Sequence, residues 1–138
     1  MSSPSRLEIK ALVTGGAGFI GGHIAEALAA RGARVIILDD LSTGSLDNLA
    51  WAAGNADVEF VEGNLTDTTL IKKLVPGCDW VFHEGAIASV PQSVAQPVES
   101  SQVNLEASLA LLTAARDAKV RRFMFASSAA IYGDTEAP

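Results

Sequence analysis

The chain has 138 residues, a formal net charge of −6 and one cysteine, Cys78. This length allows one domain with a real core, and the acidic balance argues against a nucleic-acid or anionic-membrane surface. A single cysteine excludes an internal disulfide and a multi-cysteine zinc site. The N-terminus does not resemble a secretory signal, and no run of about 20 apolar residues occurs. We therefore expect a cytoplasmic protein with neither nucleic acid nor a membrane as partner, and Met1 to Arg6 as a loose leader.

The first predicted unit is a strand, a glycine-rich turn and a helix. Apolar residues predict the strand over about 8–13, and helical spacing predicts the helix over about 18–31. Between them Gly15, Gly18 and Gly21 are spaced G-x-x-G-x-x-G. In this context the glycines allow a sharp turn, close approach of backbone to a pyrophosphate and tight helix packing. The alternative is a tight turn that binds nothing.

An acidic pair follows the second predicted strand. Residues 35–38 form an unbroken apolar run, typical of a parallel strand buried on both faces, and Asp39 and Asp40 come directly after it. An acid about 20 residues beyond such a turn accepts hydrogen bonds from adenosine ribose hydroxyls. A carboxylate would also repel a 2′-phosphate, so we expect NAD rather than NADP. The alternative is that both acids merely begin a loop.

Strands and helices continue to alternate. Strands are expected over about 58–61, 79–83 and 122–126, with helices over about 49–53, 66–75 and 98–118. This pattern predicts an α/β fold, a doubly wound parallel sheet of the Rossmann type with strand order 3-2-1-4-5. In such sheets ligands bind at the carboxyl ends of the strands. Residues 1–138 would then be one dinucleotide-binding domain.

The last predicted helix has two apolar stripes. One contains Val103, Ala107 and Leu111, and the other contains Leu105, Leu109 and Leu112. A helix that is apolar on two sides is covered on two sides. One stripe is expected to face the sheet, and the other to face a second helix or a second subunit.

Together these segments resemble the extended short-chain dehydrogenase/reductase family, and within it the nucleotide-sugar 4-epimerases. Residues 14–21 match the family's TGGxGxIG turn, and 39–44 resemble its D-[ND]-L-S-x-G loop. Residues 83–86 occupy its H-x-A-[AG] segment, and 104–108 stand in for N-V-x-G-T. The resemblance implies NAD contacts from Gly15, Gly18, Phe19, Ile20, Gly21, Asp39, Asp40, Leu41, Ser42, Thr43, Gly44, Asn64, Leu65, His83, Glu84, Gly85, Ala86, Asn104 and Ser127.

Two of these positions depart from what the family leads us to expect. Asn64 stands where the family has an Asp that contacts the adenine amino group, so that contact is in question. Glu84 lies beside the implied pyrophosphate site. Its carboxyl is expected either to point away from the phosphates or to have a raised pKa. Asn104 matches an asparagine that braces the loops around the cofactor.

The resemblance also implies a substrate side. Residues 89–93 resemble the SVPxS run of epimerases that accept UDP-N-acetylhexosamines, which implies Ser89 as a substrate contact. Ser128 matches the catalytic Ser/Thr, which bonds the reacting sugar hydroxyl. Ala129 and Ala130 stand where 4,6-dehydratases carry Asp-Glu. Because dehydration needs this extra acid and base, the alanines favour epimerisation.

The smaller candidates are interpreted as structural. His23 and His83 have no metal-ligand spacing, so no metal site is expected. Tyr132 matches the tyrosine that closes the SSxxxYG run and is not expected to do chemistry.

The family's catalytic Tyr-x-x-x-Lys does not occur in these 138 residues. The lysine lowers the pKa of the tyrosine so that its phenolate can act as a base. We therefore expect the chain to be the inactive, cofactor-binding N-terminal part of an NAD-dependent UDP-hexose 4-epimerase. The parent would bind a UDP-sugar and form a homodimer through the helix near 98–118. The alternatives are a stand-alone NAD-binding module and a nucleotide-sugar dehydratase or decarboxylase.

Overall fold

The computed structural model describes residues 6–133, so the expected leader falls almost wholly outside the described residues. Five strands form one parallel sheet in the order β3-β2-β1-β4-β5, which confirms the predicted fold class and strand order. The strands are β1 (Lys10–Thr14), β2 (Arg34–Asp39), β3 (Val58–Glu62), β4 (Trp80–His83) and β5 (Arg122–Phe125).

Helices connect the strands. They are α1 (Phe19–Ala30), α2 (Thr68–Leu74), α3 (Val90–Ala95), α4 (Pro97–Ser101) and α5 (Ala107–Asp117). Short 3₁₀ segments cover Leu46–Ala52 and Ala129–Tyr132, and one π turn covers Gln102–Glu106. Within residues 6–133 no helix is long and apolar enough to cross a membrane.

Alternating side chains of the central strands feed two cores. Ala11, Val13 and Ile37 point to the side of α1, where they pack with Ala25 and Leu28. Leu12, Ile36 and Val81 point to the other side and pack with residues of α2 and α5. Burying each large aliphatic side chain contributes about 1.5–3 kcal/mol. The sheet is therefore covered on both faces over β1 and β2, which fixes the carboxyl ends of these strands.

Local sequence signals mark where the helices begin and end, at the positions that the sequence predicts. Asp67 caps α2 by accepting the backbone N–H groups of Thr69 and Leu70. Gly32 follows α1 with φ +85°, and Gly77 follows α2 with φ +80°. Both are left-handed conformations that glycine adopts without strain.

The expected single helix over 98–118 needs a correction. The segment consists of α4, the π turn and α5, which run on with helical backbone angles, and a separate α3 precedes them. Pro97 begins α4, because proline fits the first helical turn but cannot continue a helix. The first predicted stripe faces the core, and the cover expected for the second stays a prediction. Leu111 is buried, whereas Leu105, Leu109 and Leu112 are exposed.

Candidate functional site

The glycine turn joins β1 to α1 with almost no room for side chains. Gly15 has φ +65°, and a Cβ built on it would lie 2.7 Å from the backbone nitrogen of Gly85. A Cβ on Gly21 would overlap the carbonyl oxygen of Gly15. The turn therefore lies directly against the loop that follows β4. Its surface is backbone, as in dinucleotide sites, where the pyrophosphate binds at the N-terminus of the helix.

Asp39, at the end of β2, binds the glycine turn. One carboxylate oxygen accepts the backbone N–H of Ala17 at 3.0 Å, and the other accepts the N–H of Leu41 at 2.8 Å. The side chain is 8% exposed. A carboxylate oxygen can accept more than one hydrogen bond, so both retain acceptor capacity. Asp39 thus links the end of β2 to the glycine turn that follows β1.

The loop after Asp39 folds over the same turn. Gly44 lies so close that a Cβ on it would be 2.9 Å from a carboxylate oxygen of Asp39. The carbonyl of Ala17 accepts the side-chain amide of Asn48 at 2.7 Å and the backbone N–H of Ser45 at 3.0 Å. Leu41 has φ +58°, a left-handed conformation that costs a non-glycine residue on the order of 1 kcal/mol. The loop is therefore held in place by polar contacts to the turn.

Asn64 contacts Asp40 across the ends of β2 and β3. Its amide donates to an Asp40 oxygen at 2.8 Å, and its carbonyl oxygen accepts both the N–H and the hydroxyl of Thr66. An aspartate at position 64 would place two carboxylates in contact. The asparagine found here is therefore compatible with Asp40, and the side chain is turned toward its own loop.

The loop after β4 begins with Glu84 and Gly85. The backbone N–H of Glu84 donates to the carbonyl of Thr14, and the Gly85 N–H donates to the Thr14 hydroxyl at 3.1 Å. Leu65 packs against Gly85, because a Cβ built on Gly85 would lie 2.7 Å from Cδ1 of Leu65. Partial burial raises the pKa of the Glu84 carboxyl. The direction matches one of the two expectations for Glu84, and the choice between them stays a prediction.

Asn104 braces the same loop from the π turn. Its side-chain oxygen accepts the backbone N–H of Ile87 at 2.8 Å, and its amide donates to the Ile87 carbonyl at 2.9 Å. This pair of bonds satisfies both backbone groups of a loop residue that has no strand partner. Asn104 therefore positions the loop through backbone contacts, as the resemblance implies.

His83 lies between the glycine turn and α5 and is 3% exposed. Its Nδ1 is 2.7 Å from the Thr14 hydroxyl, and its Nε2 is 2.7 Å from the Ser108 hydroxyl. Burial lowers the pKa of the imidazole. We call Thr14, His83 and Ser108 the buried hydrogen-bond chain.

The predicted substrate residues lie on exposed turns. Ser89 begins α3, and its hydroxyl accepts the N–H of Gln92. Ser128 begins the last 3₁₀ segment, and its hydroxyl oxygen accepts the N–H of Ala130 at 3.1 Å. The described hydrogen bonds do not link either serine to the glycine turn. Ser127 is exposed after β5, whose chain end is tied to β4 by the Ala126 N–H and the His83 carbonyl.

The other predicted site residues are near the carboxyl edge of the sheet but are more exposed. Phe19 and Ile20 are exposed in the first turn of α1, and Ser42, Thr43 and Ala86 are exposed in their loops. The structure thus brings the glycine turn, Asp39 and the Glu84–Gly85 loop into contact. The remaining residues surround them.

Residues interpreted as structural have local partners. His23 is exposed on α1, where its ring contacts Phe19 and bonds to the Phe19 carbonyl. Cys78 is buried, and its thiol, whose pKa burial raises, contacts the Leu74 carbonyl. Tyr132 is exposed. Over residues 6–133 no three His, Cys, Asp or Glu side chains group as metal ligands would.

Three residues of the site were not singled out from the sequence. Asn48, Thr14 and Ser108 all make polar contacts to the turn or to His83. Thr14 belongs to the TGGxGxIG run, so that motif was a usable signal. Ser108 belongs to the run that stands in for N-V-x-G-T, so it had a motif signal too, whereas Asn48 carries none, because its partner Ala17 is 31 residues away in sequence.

Comparison with known proteins gives a consistent family. Residues 11–138 match the model of the NAD dependent epimerase/dehydratase family. The UDP-glucose 4-epimerase of Streptomyces lividans is 39% identical over 131 residues, which is 92% of this chain and 38% of that enzyme. The chain therefore spans well under half the length of this relative.

Solved structures agree with the sequence match. A UDP-N-acetylglucosamine 4-epimerase from Methanobrevibacter ruminantium M1, in complex with UDP-N-acetylmuramic acid, superposes with a TM-score of 0.87 at 38% identity. The match covers 94% of this chain and 41% of that one. The UDP-glucose 4-epimerase of Thermus thermophilus, in complex with NAD, superposes with a TM-score of 0.75 at 41% identity. It covers 87% of this chain and 38% of that one.

Proposed function

Because the chain belongs to the NAD dependent epimerase/dehydratase family, we propose that it forms the cofactor-binding part of an NAD-dependent nucleotide-sugar 4-epimerase of the UDP-hexose class. The observation that carries this proposal is the glycine turn itself, which has no room for side chains where Gly15 lies against Gly85 and where Asp39 binds Ala17. Such a backbone-lined turn at the N-terminus of a helix suits a pyrophosphate. Similar solved structures that contain NAD support the choice of cofactor.

The residues present fit NAD. Gly15, Gly18 and Gly21 would hold the pyrophosphate, and Asp39 would accept hydrogen bonds from the adenosine ribose hydroxyls with its remaining lone pairs. Its negative charge disfavours the 2′-phosphate of NADP. When bound, NAD supplies a hydride acceptor at the sugar carbon. The protein's own contribution is to orient the dinucleotide and to hold its adenosine and nicotinamide halves apart.

The substrate side favours epimerisation over dehydration. The Ser128 oxygen accepts the Ala130 N–H, which leaves the hydroxyl proton free to donate to a sugar oxygen. Ala129 and Ala130 carry no acid or base for the removal of water. Ser128 would orient the reacting hydroxyl, and Ser89 would contact the sugar from the other loop.

The proton acceptor is not in these residues. Tyr132 is the only tyrosine of the chain, and no lysine follows it. A full-length parent would supply the Tyr-x-x-x-Lys, and the 138-residue chain alone would be inactive. Incubation of the chain with NAD and UDP-galactose should therefore give no UDP-glucose. Measurable conversion would contradict this assignment of the base.

We also propose that the parent is a homodimer through α5. Leu105, Leu109 and Leu112 form what we call the outer leucine stripe, and these side chains are 65%, 61% and 49% exposed. Three leucines on one exposed helix face are typical of a surface that another helix covers. A second copy of α5 is the occupant that we propose.

Cofactor titration tests the function. Isothermal calorimetry of the chain should show tighter binding of NAD than of NADP. Asp39→Asn should weaken NAD binding about tenfold through the loss of a charge-assisted bond, and should narrow the preference over NADP. Glu59→Gln, which removes an exposed acid on β3, is the matched control and should bind NAD as the unmodified chain does. Preference for NADP, or equal NAD affinity in Asp39→Asn, would overturn the role of Asp39.

A further inference from the structure

The donors and acceptors of the buried hydrogen-bond chain can be assigned from the contacts that its hydroxyl groups make. The Ser108 hydroxyl donates its single proton to the Asn104 carbonyl at 2.8 Å. Its oxygen can therefore only accept from His83 Nε2, which must carry a hydrogen. The tautomer of His83 follows from the network rather than from the ring itself.

The other side of the imidazole fixes the remaining protons. The Thr14 oxygen already accepts the Gly85 N–H at 3.1 Å. With Nδ1 unprotonated, the Thr14 hydroxyl donates to it at 2.7 Å. Every polar side-chain atom of Thr14, His83 and Ser108 then has a hydrogen-bond partner. A proton on Nδ1 would leave the hydroxyl proton of a fully buried threonine without this acceptor. The neutral Nε2–H form is thus the one that fits.

The buried hydrogen-bond chain connects three segments. Thr14 immediately precedes the glycine turn, Gly85 lies in the loop after β4, and Ser108 lies in the first turn of α5. The backbones of Gly15 and Gly85 are in contact, so the position of either loop constrains the other. Phe125 and Phe123 of β5 lie against the other sides of the ring, at centroid distances of 5.5 and 6.2 Å.

We propose that His83, held as the neutral Nε2–H tautomer by Thr14 and Ser108, is a positioning residue that sets the spacing of the glycine turn and the Glu84–Gly85 loop around the dinucleotide. This rests on the proposed NAD function. Because Nδ1 is bonded to Thr14 and Nε2 to Ser108, the imidazole has no free nitrogen with which to hydrogen-bond the cofactor. It acts through Thr14, whose hydroxyl also holds the Gly85 N–H.

Nitrogen-15 NMR of the ring tests the tautomer without any cofactor. In the chain labelled at histidine, His83 should show a protonated Nε2 and an unprotonated Nδ1 near neutral pH. Ser108→Ala removes the acceptor of Nε2 and should shift this pattern toward a mixture of tautomers. Ser101→Ala, an exposed serine of α4, is the matched control and should leave it unchanged. A protonated Nδ1 in the unmodified chain would overturn the proposal.

NAD titration of the same variants tests the positioning role. Ser108→Ala should weaken NAD binding about threefold to tenfold, the effect of one lost hydrogen bond, although Ser108 does not border the turn. Thr14→Ser keeps the hydroxyl and should bind NAD nearly as the unmodified chain does. Thr14→Val removes the hydroxyl and should bind NAD more weakly. The double variant Thr14→Val/Ser108→Ala should lose less than the product of the two single effects, because both act through His83.

Thermal unfolding separates this role from general stability. If Ser108→Ala and Thr14→Val unfold at lower temperature but bind NAD with unchanged affinity, His83 is structural only and the proposal is wrong. If the unmodified chain fails to bind NAD, the proposed function is wrong, and the NMR pattern is judged separately. These two failures therefore cannot be confused.

Discussion

At the scale of single residues, burial decides the charge of His83. The ring is almost fully enclosed, and burial lowers its pKa below the ordinary value. In the unfolded chain the same histidine takes up a proton near pH 6.5. The folded state thus binds fewer protons than the unfolded state at mildly acidic pH. Its stability is fully present above about pH 6.5 and decreases as the pH falls below that value.

We expect His83→Gln to flatten this pH dependence. Between pH 7 and pH 5, the free energy of unfolding of the unmodified chain should fall by up to about 1.4 kcal/mol per pH unit more steeply than that of the variant. His23→Gln, at an exposed position on α1, should keep the steeper slope. Urea denaturation at several pH values measures it. Equal slopes for the unmodified chain and His83→Gln would show that His83 takes up its proton as readily in the fold as outside it.

Residue roles were predictable where the signal is local. The glycine spacing and Asp39 lie within one strand-turn-helix-strand unit, so their contact follows from a short stretch of sequence. The partners of His83 are 69 and 25 residues away. Only the fold brings them together, so the sequence predicts a structural histidine but neither its bonds nor its tautomer. The contact between Asn64 and Asp40 could not be predicted for the same reason, because only the fold brings the two residues together.

At the scale of elements, two helices end in the same motif with different residues. After α1, the N–H of Gly32 bonds to the Ala29 carbonyl and the N–H of Ala33 to that of Leu28. After α5, Lys119 and Val120 make the equivalent bonds, and Lys119 has φ +57°. Both ends are Schellman motifs, but only the first has the glycine that this conformation favours.

We expect Lys119→Gly to stabilise the chain by about 0.5–1 kcal/mol. Glycine adopts the left-handed conformation without the cost that a side chain brings, although it gains freedom in the unfolded state. Urea denaturation near neutral pH measures the change. Lys73→Gly is a contrasting control, since this exposed lysine lies within α2, and it should destabilise by about 1 kcal/mol. A loss of stability in Lys119→Gly would mean that the lysine side chain has a role that the backbone does not show.

Elements with strong periodicity were predicted, and their interruptions were not. The apolar spacing gave both ends of α1 and α2 to within about two residues, and it gave the end of α5 but not its start. The segments α4, the π turn and α5 run on with helical backbone angles, so the sequence pattern did not separate them. The helix expected over about 49–53 is present as the 3₁₀ segment Leu46–Ala52. In contrast, α3 and the 3₁₀ segment Ala129–Tyr132 were not predicted, and they are six and four residues long with no buried residue. Periodicity cannot detect elements this short.

At the scale of the whole molecule, the alternation of strands and helices was enough to predict the sheet. Parallel strands need long connections, and the buried apolar runs allow few alternatives for the centre. What covers the molecule from outside is not encoded in that alternation. The outer leucine stripe is an exposed apolar surface, and a partner that covers it is a proposal.

Leu109→Glu tests the proposed dimer. A charge in the centre of the outer leucine stripe should prevent helix pairing, because burying an unpaired carboxylate is costly. Analytical ultracentrifugation should show a dimer for the unmodified chain and a monomer for the variant. Leu46→Glu changes another exposed leucine, in the 3₁₀ segment after β2, and should leave the dimer intact. A monomeric unmodified chain at high concentration would contradict the proposed interface.

The π turn has a consequence for the permitted length of the chain. Each residue of an α-helix advances the direction of the side chain by about 100°, and a π turn holds one residue more than regular winding would. Asn104 therefore points to the loop after β4 while, beyond the turn, Leu111 still points into the core. Deleting one residue from Gln102–Glu106 would restore regular winding, so α4 and α5 would stay in register, but Asn104 would lose the widened turn from which it reaches Ile87. The number of residues in this segment is therefore constrained by the loop that Asn104 holds.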